Sequence, residues 1–294
     1  MNFKFTKKAL RATWRLKPPV LALGGGGARG FAHLGVLAVL DEANLPVSAI
    51  VGTSMGAVTG GMYLAHGSAE KAIDLWRQAF DEDLIPRVQP VSKFPDADTS
   101  EHPLLQVARR IRNRVVITFA MNRSTILETK SLSTVLEFLI PDIEFADLPR
   151  PFVAVATDVD TGEEVRLRKG PLRSALLASS AIPGVIPAVE VDARRLVDGG
   201  VLAEIPVAAA KEIGWPVVAV DASMDVPPVT DNDLVLDTMM RTQMMTAGLL
   251  RSQQLRRATH VIRPQVGRAT WADWGRSEEL VSAGRAAAEE FLGL

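Results

Sequence analysis

The sequence contains no cysteine, which excludes a disulfide framework, a thiolate metal site and a cysteine nucleophile. It also lacks a large net charge, since 33 Lys and Arg residues nearly balance 34 Asp and Glu residues. No overall field therefore attracts a polyanion to the protein, and we expect no nucleic-acid partner. Because the absence of cysteine agrees with a reducing compartment, we expect a cytoplasmic location.

Long hydrophobic runs are missing as well. A spanning helix needs roughly 18–20 apolar residues, and the nearest stretch, 49–65, contains four glycines. The basic N-terminus is followed by only four apolar residues, too few for a signal peptide, so we expect the chain to start where the sequence does. Its six basic residues and aromatics suggest peripheral contact with the inner face of the membrane. A disordered tail is an equal alternative.

The order of apolar runs and glycine turns predicts a parallel α/β sheet. A short apolar strand at 20–23 is followed by four glycines and an apolar helical stretch at 31–45. A second strand at 49–51 precedes another helix at 55–65, and this alternation is typical of α/β domains. Further strands are predicted at 152–156, 195–197, 217–220 and 260–262.

The chain divides by composition into a leader, a core and a C-terminal part. We predict a basic leader at 1–19, a domain core at 20–225 and, at 226–294, a helical part that completes the same domain. The span at about 81–150 is irregular, charged and punctuated by prolines. An insert of that length is often functional, and we interpret it as a lid.

The glycine turn after the first strand has the spacing Gly25-x-Gly27-x-x-Gly30. A dinucleotide fingerprint would need an acid at the end of the second strand, and a P-loop would need Gly-Lys-Ser/Thr; neither follows. Bare N–H groups at a helix N-terminus can instead stabilise a developing negative charge. The turn therefore suits an oxyanion hole, with a nucleotide site or a purely structural turn as alternatives.

Ser54 lies in Gly52-x-Ser54-x-Gly56, between the second strand and the next helix. In a nucleophile elbow, a serine occupies a sharp strand-to-helix turn and flanking glycines avoid clashes. The two turns are one βαβ unit apart, so both fall at the carboxyl ends of adjacent parallel strands, where α/β sheets place their sites. Together they predict that Ser54 is the nucleophile of an acyl-ester hydrolase.

The base that accepts the Ser54 proton is predicted from position. His260 is the best of the four histidines because the histidine comes last in α/β-hydrolases, but it begins a strand rather than following one. Asp198 ends a short apolar strand before a glycine pair, so we expect it at the carboxyl edge, where burial would strengthen it as a base. Asp158 competes, although the residues after it are typical of a hairpin turn.

Three ordered segments resemble the signatures of patatin-like phospholipases, in particular the bacterial members related to the catalytic domain of neuropathy target esterase. These are Gly24–Gly30, Gly52–Gly56 and Asp198–Gly200. Two further stretches, Ala154–Gly162 and Ala178–Pro183, are also similar to that family.

The resemblance implies a three-layer α/β/α fold with a mainly parallel central sheet, and a Ser54–Asp198 dyad that needs neither metal nor other cofactor. It implies an oxyanion hole at Gly25, Gly26 and Gly27, supported by Arg29. The other motif glycines are Gly30, Gly52, Gly56, Gly199 and Gly200. One departure is Glu204, because the family usually has an asparagine two residues before a proline at this point.

The resemblance also implies a lipid or lysolipid substrate that is cleaved at a fatty-acyl ester. Two other classes stay open. One is a catalytically silent regulatory or adaptor protein, since fold does not fix function, and the other is a nucleotide-binding protein that uses the glycine turn. Four methionines recur at helical spacing and are interpreted as core rather than as an acyl pocket: Met239, Met240, Met244 and Met245.

Overall fold

A computed structural model describes residues 7–85, 129–224 and 235–294. The strands are β1 Val20–Leu23, β2 Ala49–Thr53, β3 Phe152–Asp158, β4 Glu164–Leu167, β5 Val189–Val191, β6 Arg194–Asp198, β7 Val217–Val220 and β8 His260–Ile262. The α-helices are α1 Lys7–Leu16, α2 Phe31–Glu42, α3 Met55–His66, α4 Ala69–Asp81, α5 Thr129–Leu139, α6 Leu172–Ser179, α7 Gly200–Ala203, α8 Val207–Ile213, α9 Val235–Leu255 and α10 Ser277–Leu292. Short 3₁₀ turns lie at Gly27–Gly30, Phe145–Asp147 and Trp274–Arg276.

The strands form one mixed sheet in the order β5-β6-β3-β2-β1-β7-β8, with β4 also paired to β3. Its central part, from β3 through β2, β1 and β7 to β8, is parallel. Both β4 and β6 run antiparallel to β3, and β5 runs antiparallel to β6. The predicted α/β fold with a mainly parallel centre is confirmed.

Successive residues of the central strands face two separate cores. In β1, Leu21 and Leu23 pack into the larger core beneath α2, α3, α4 and α10. Val20 and Ala22 point the other way, into the smaller core beneath α7 and α8. Because neighbouring strand residues alternate between faces, a strand that is apolar throughout needs helices on both sides. The continuous apolar run at 20–23 therefore produces a three-layer α/β/α arrangement.

The carboxyl ends of β2 and β6 meet head to head beside β3. Thr53, the last residue of β2, pairs with Val155, whereas Asp198, the last residue of β6, pairs with Ala156. The other edge of β3 is occupied there by β4, so β2 and β6 must share one edge. Asp198 therefore lies beside the carboxyl end of β2, and the antiparallel β6 reaches this point from the opposite direction.

The leader is not a disordered tail from Lys7 onward, because it forms helix α1 and packs on the domain. Trp14 is buried and donates from Nε1 to the Pro46 carbonyl at 2.8 Å. Arg11 donates to the carbonyl of Gly293 at 2.8 Å, beyond the end of α10, and Arg15 donates to that of Ala43 at 2.9 Å, beyond the end of α2. Cationic side chains at these positions donate hydrogen bonds to the last carbonyls of a helix and interact favourably with its dipole.

Part of the predicted insert belongs to the core. Helix α5 buries Val135, Leu136 and Leu139 in the larger core, so this part of the predicted insert packs against the domain. At the other end of the predicted insert, Asp81 ends helix α4 and Ile85 is buried in the same core, while residues 86–128 lie outside the described residues.

Helix α9 corrects a second expectation. Met245 is 49% exposed, so the interpretation of this methionine as core is wrong, while the side chains of Met239 and Met240 lie outside the described residues. In the described ranges, none of the helices is both long and apolar enough to cross a membrane.

Candidate active site

Ser54 occupies a strained turn between β2 and α3. Its backbone angles are φ 54° and ψ −127°, a region that non-glycine residues adopt only when the surrounding structure holds them there. The flanking glycines are required sterically. A Cβ on Gly52 would lie 2.4 Å from the Gly56 carbonyl oxygen, and one on Gly56 would lie 2.3 Å from that of Leu23. The segment therefore has the geometry of a nucleophile elbow.

Asp198 is buried beside Ser54. Its carboxylate accepts from the Gly200 N–H at 2.7 Å. Burial raises the pKa of Asp198 to about 6, although the neighbouring Ser54 hydroxyl and the Gly200 N–H both act to lower it. A carboxylate with a pKa closer to neutrality is a stronger base than an exposed one. Ser54 and Asp198 therefore form a hydroxyl–carboxylate pair with the properties that proton transfer needs.

The glycine turn lies directly against Ser54, since a Cβ on Gly25 would be 3.5 Å from the Ser54 Cβ. The N–H of Gly25 is already used, because it donates to the Glu204 carbonyl at 2.9 Å. Within the described part of the chain, neither Gly26 nor Gly27 donates its N–H to another residue. Both have positive φ, at 151° and 57°. Among the described residues, the backbone N–H groups of this turn that remain open to a ligand are therefore those of Gly26 and Gly27, and not that of Gly25.

The buried Arg29 side chain bonds to the backbone of its own turn. Its Nε donates to the Gly26 carbonyl at 3.1 Å. Burial lowers the pKa of Arg29, while Glu204 acts in the opposite direction. The pKa of Glu204 is itself raised by burial and lowered by Arg251 and Arg29. The acid that departs from the family pattern is thus compensated by two arginines beside the turn.

The loop after Asp198 is held by helix α9. Gln254 accepts from the Ile205 N–H at 3.0 Å and donates to the Leu202 carbonyl at 2.8 Å. The Thr53 hydroxyl donates to the Ala203 carbonyl at 2.8 Å. These bonds satisfy backbone groups at the end of α7 and in its connection to α8, in the segment that follows Asp198.

The competing bases are placed elsewhere. His33 is buried with Nε2 2.8 Å from the Gly24 carbonyl oxygen, and His66 Nε2 is 2.8 Å from that of Leu139. His260 starts β8 and its ring packs on Phe291. Asp158 accepts from the N–H groups of its own turn, as expected of a hairpin turn. His102 lies outside the described residues.

Three residues at the site carry no clear sequence signal. Ser179 bonds to the backbone of Ser54, Gln254 fixes the Asp198 loop, and Trp271 packs on Gly27 and accepts the Ala28 N–H at 2.8 Å. Of these, only Ser179 lies in a segment that the family resemblance had marked. Groups of three or more histidines and carboxylates able to hold a metal are absent from the described residues.

Comparison with known proteins identifies the family. The family described as patatin-like phospholipase matches residues 21–211. An uncharacterized NTE family protein of Mycobacterium tuberculosis is 34% identical over 219 residues, which are 74% of this chain and 51% of that protein. Mouse patatin-like phospholipase domain-containing protein 6 is 30% identical over 205 residues, covering 68% of this chain and 13% of that protein. The chain thus spans about half, or much less, of the length of these relatives.

Among solved structures, VipD from Legionella pneumophila is matched over 94% of this chain and 66% of that chain. The TM-score is 0.46 and the sequence identity is 16%.

Proposed function

Since the chain belongs to the patatin-like phospholipase family, we propose that it is a serine acyl-ester hydrolase that cleaves fatty-acyl esters of phospholipids or lysophospholipids. The observation that carries the proposal is the contact between the Ser54 hydroxyl, held on a strained elbow, and the buried Asp198 carboxylate.

Ser54 is the nucleophile in the first half of the reaction. Its Oγ attacks the ester carbonyl carbon while its proton passes to Asp198, which gives a tetrahedral oxyanion. The N–H groups of Gly26 and Gly27 stabilise that oxyanion, and preorganised donors of this kind contribute about 3 kcal/mol each in other hydrolases. Protonated Asp198 then donates to the leaving alcohol oxygen, which departs as the lysolipid or glycerol part. The acyl group stays on Ser54.

Water completes the reaction. Asp198, again a carboxylate, takes a proton from a water molecule, which attacks the acyl carbonyl carbon. Collapse of the second oxyanion breaks the bond to Ser54 Oγ, which recovers its proton from Asp198, and the fatty acid is released. Each half of the reaction returns Asp198 to its ionised state, so a single base serves both halves.

A fluorophosphonate probe tests the nucleophile directly, because it phosphonylates an activated serine. The wild-type protein should be labelled, and Ser54→Ala should lose labelling and ester hydrolysis together while keeping its thermal stability. Asp198→Asn should remain folded and lose hydrolysis of a soluble short-chain ester by at least about 10³-fold, as for loss of an essential base. A matched control is Asp160→Asn, an exposed carboxylate on the nearby turn.

Each rival function has its own result. Unlabelled, inactive wild-type protein that is well folded would support a silent adaptor. Full activity of Asp198→Asn would eliminate the dyad, and would return His260 to consideration. Stoichiometric binding of a dinucleotide, measured by fluorescence and lost on changing Gly27, would favour the nucleotide-binding alternative.

A further inference from the structure

The junction between β2 and β6 leaves a gap in the hydrogen-bond ladder of β3. The partner of β3 changes from Thr53, opposite Val155, to Asp198, opposite Ala156. A buried backbone group at such a change of partner needs a substitute. The Val155 carbonyl has one, because it accepts a hydrogen bond from the Ser179 hydroxyl at 2.6 Å.

The same hydroxyl also contacts the nucleophile. The Ser54 N–H donates to Ser179 Oγ at 3.0 Å. An amide can only donate and a carbonyl can only accept, so the Ser179 proton must point toward Val155 and a lone pair toward Ser54. Ser179 is completely buried, so water does not compete for either bond.

The next turn of the chain reaches the other half of the dyad. The Asp198 N–H donates to the Ala181 carbonyl at 2.9 Å. Ser179 ends helix α6, and Ala181 follows two residues later. One short segment therefore holds the backbone of Ser54 through a side chain and the backbone of Asp198 through a carbonyl. It fixes the two reacting groups relative to each other.

This contact acts where the backbone is under strain. The positive φ of Ser54 is unfavourable for a residue with a side chain and persists only if neighbouring groups oppose its relaxation. The Ser179 hydroxyl bonds the amide nitrogen of that same residue. A relaxed Ser54 would carry its Oγ away from Asp198 and from the glycine turn.

We propose that Ser179 is a positioning residue of the active site, which holds the Ser54 elbow so that its hydroxyl faces Asp198. The proposal rests on the proposed function, because it assigns a role to Ser179 in the reaction of Ser54. Ser179 itself touches no reacting atom.

Ser179→Ala and Ser180→Ala form a matched pair. Both serines lie at the end of α6 and are buried, but the Ser180 hydroxyl has no hydrogen-bond partner among the described residues. With a soluble short-chain ester, Ser179→Ala should lower kcat about 100-fold, the cost of misplacing a reacting group by about 1 Å, with KM changed less than threefold. The rate of fluorophosphonate labelling should fall in parallel. Ser180→Ala should keep kcat within twofold of wild type.

The pH profile separates positioning from simple stability. The Ser54 hydrogen bond lowers the pKa of Asp198, so displacement of Ser54 should move the midpoint of the kcat profile upward. Ser179→Cys, with a similar volume and a weaker hydrogen bond, should show an intermediate kcat and midpoint. It also serves as the test variant if Ser179→Ala does not fold.

Two results would overturn the proposal. In one, Ser179→Ala is less thermally stable but keeps the kcat and pH midpoint of the wild type; in the other, Ser179→Cys has full activity. Either would mean that Ser179 only satisfies the Val155 carbonyl. An inactive, unlabelled wild-type protein would instead refute the proposed function, so the two failures are distinguishable.

Discussion

In the proposed mechanism the carboxyl group of Asp198 must be ionised to accept the Ser54 proton, and burial raises the pKa of this group to about 6. We therefore expect kcat for a soluble ester to increase with pH through a single ionisation near pH 6 and to level off above about pH 7. Measurement of kcat at pH values from 4.5 to 9 tests this expectation. A profile that is flat down to pH 4.5 would contradict the role of a buried carboxylate with this pKa.

The same shift makes Asp198 a cost to stability at neutral pH. Its pKa is about 6 in the folded protein, against an ordinary value of 3.8, so the folded state binds this proton more tightly than the unfolded chain does. That stabilisation is complete below pH 3.8 and is lost as the pH rises through 6. Asp198→Asn removes the buried charge and should raise the free energy of unfolding at pH 8 by up to about 3 kcal/mol.

Urea denaturation at pH 8 and pH 5 measures that effect. The gain should shrink at pH 5, where Asp198 is largely protonated. Asp142→Asn, at an almost fully exposed carboxylate, should change neither value by more than about 0.5 kcal/mol. Destabilisation of Asp198→Asn at pH 8 would mean that its hydrogen bonds outweigh its burial.

At the scale of one element, the packing of α3 against the end of β1 depends on Gly56. A Cβ there would lie 2.3 Å from the Leu23 carbonyl oxygen and 2.5 Å from that of Gly24. Gly56→Ala should therefore lower the free energy of unfolding by about 2–3 kcal/mol and displace the elbow, with loss of ester hydrolysis.

The control is a glycine in open space on another helix. Nothing lies within 4 Å of a Cβ built on Gly248 in α9, so Gly248→Ala should stabilise the protein by about 0.5–1 kcal/mol through helix propensity alone. Urea midpoints and hydrolysis rates measure both variants. Wild-type activity in a folded Gly56→Ala protein would show that the close packing of this elbow is not needed for the reaction.

Elements with continuous apolar runs could be predicted from sequence, and those without could not. The predicted strands at 20–23, 217–220 and 260–262 have the observed bounds. By contrast, β4 carries Glu164 and Arg166 and is only half-buried, while β5 has three residues. Neither strand has a pattern of apolar and polar residues that distinguishes it from a loop. Helix α5 was not predicted as part of the domain, because the burial of its apolar face depends on packing against distant parts of the core.

The candidate site divides in the same way. Ser54 and the glycine turn follow local rules, since each needs only a strand before and a helix after it. The proximity of Asp198 to Ser54 could be predicted because Asp198 ends a strand, but the antiparallel direction of that strand depends on the pairing of β6 with β3. Ser179 could not be assigned, because its partner in the elbow is 125 positions away in the sequence.

At the scale of the whole molecule, α1 ties the N-terminal segment to the last helix. Trp14 is buried, its ring packs edge-on against Phe291, and its Nε1 bonds to the Pro46 carbonyl. Trp14→Ala should lower the free energy of unfolding by about 3–5 kcal/mol, which thermal denaturation would detect. Leu16→Ala, on the same helix but 87% exposed, should change it by less than about 0.5 kcal/mol. Equal stabilities would show that α1 is not part of the folded domain.

The head-to-head meeting of β2 and β6 has a consequence for folding. Both strands pair with the same edge of β3. Ser54 and Asp198 therefore meet only after both pairings have formed, so their contact depends on segments that are far apart in the sequence. Distant contacts form late, because a long loop must close before they are rewarded. Hydrolytic activity should therefore be among the last properties that a refolding chain regains, after its helices have formed.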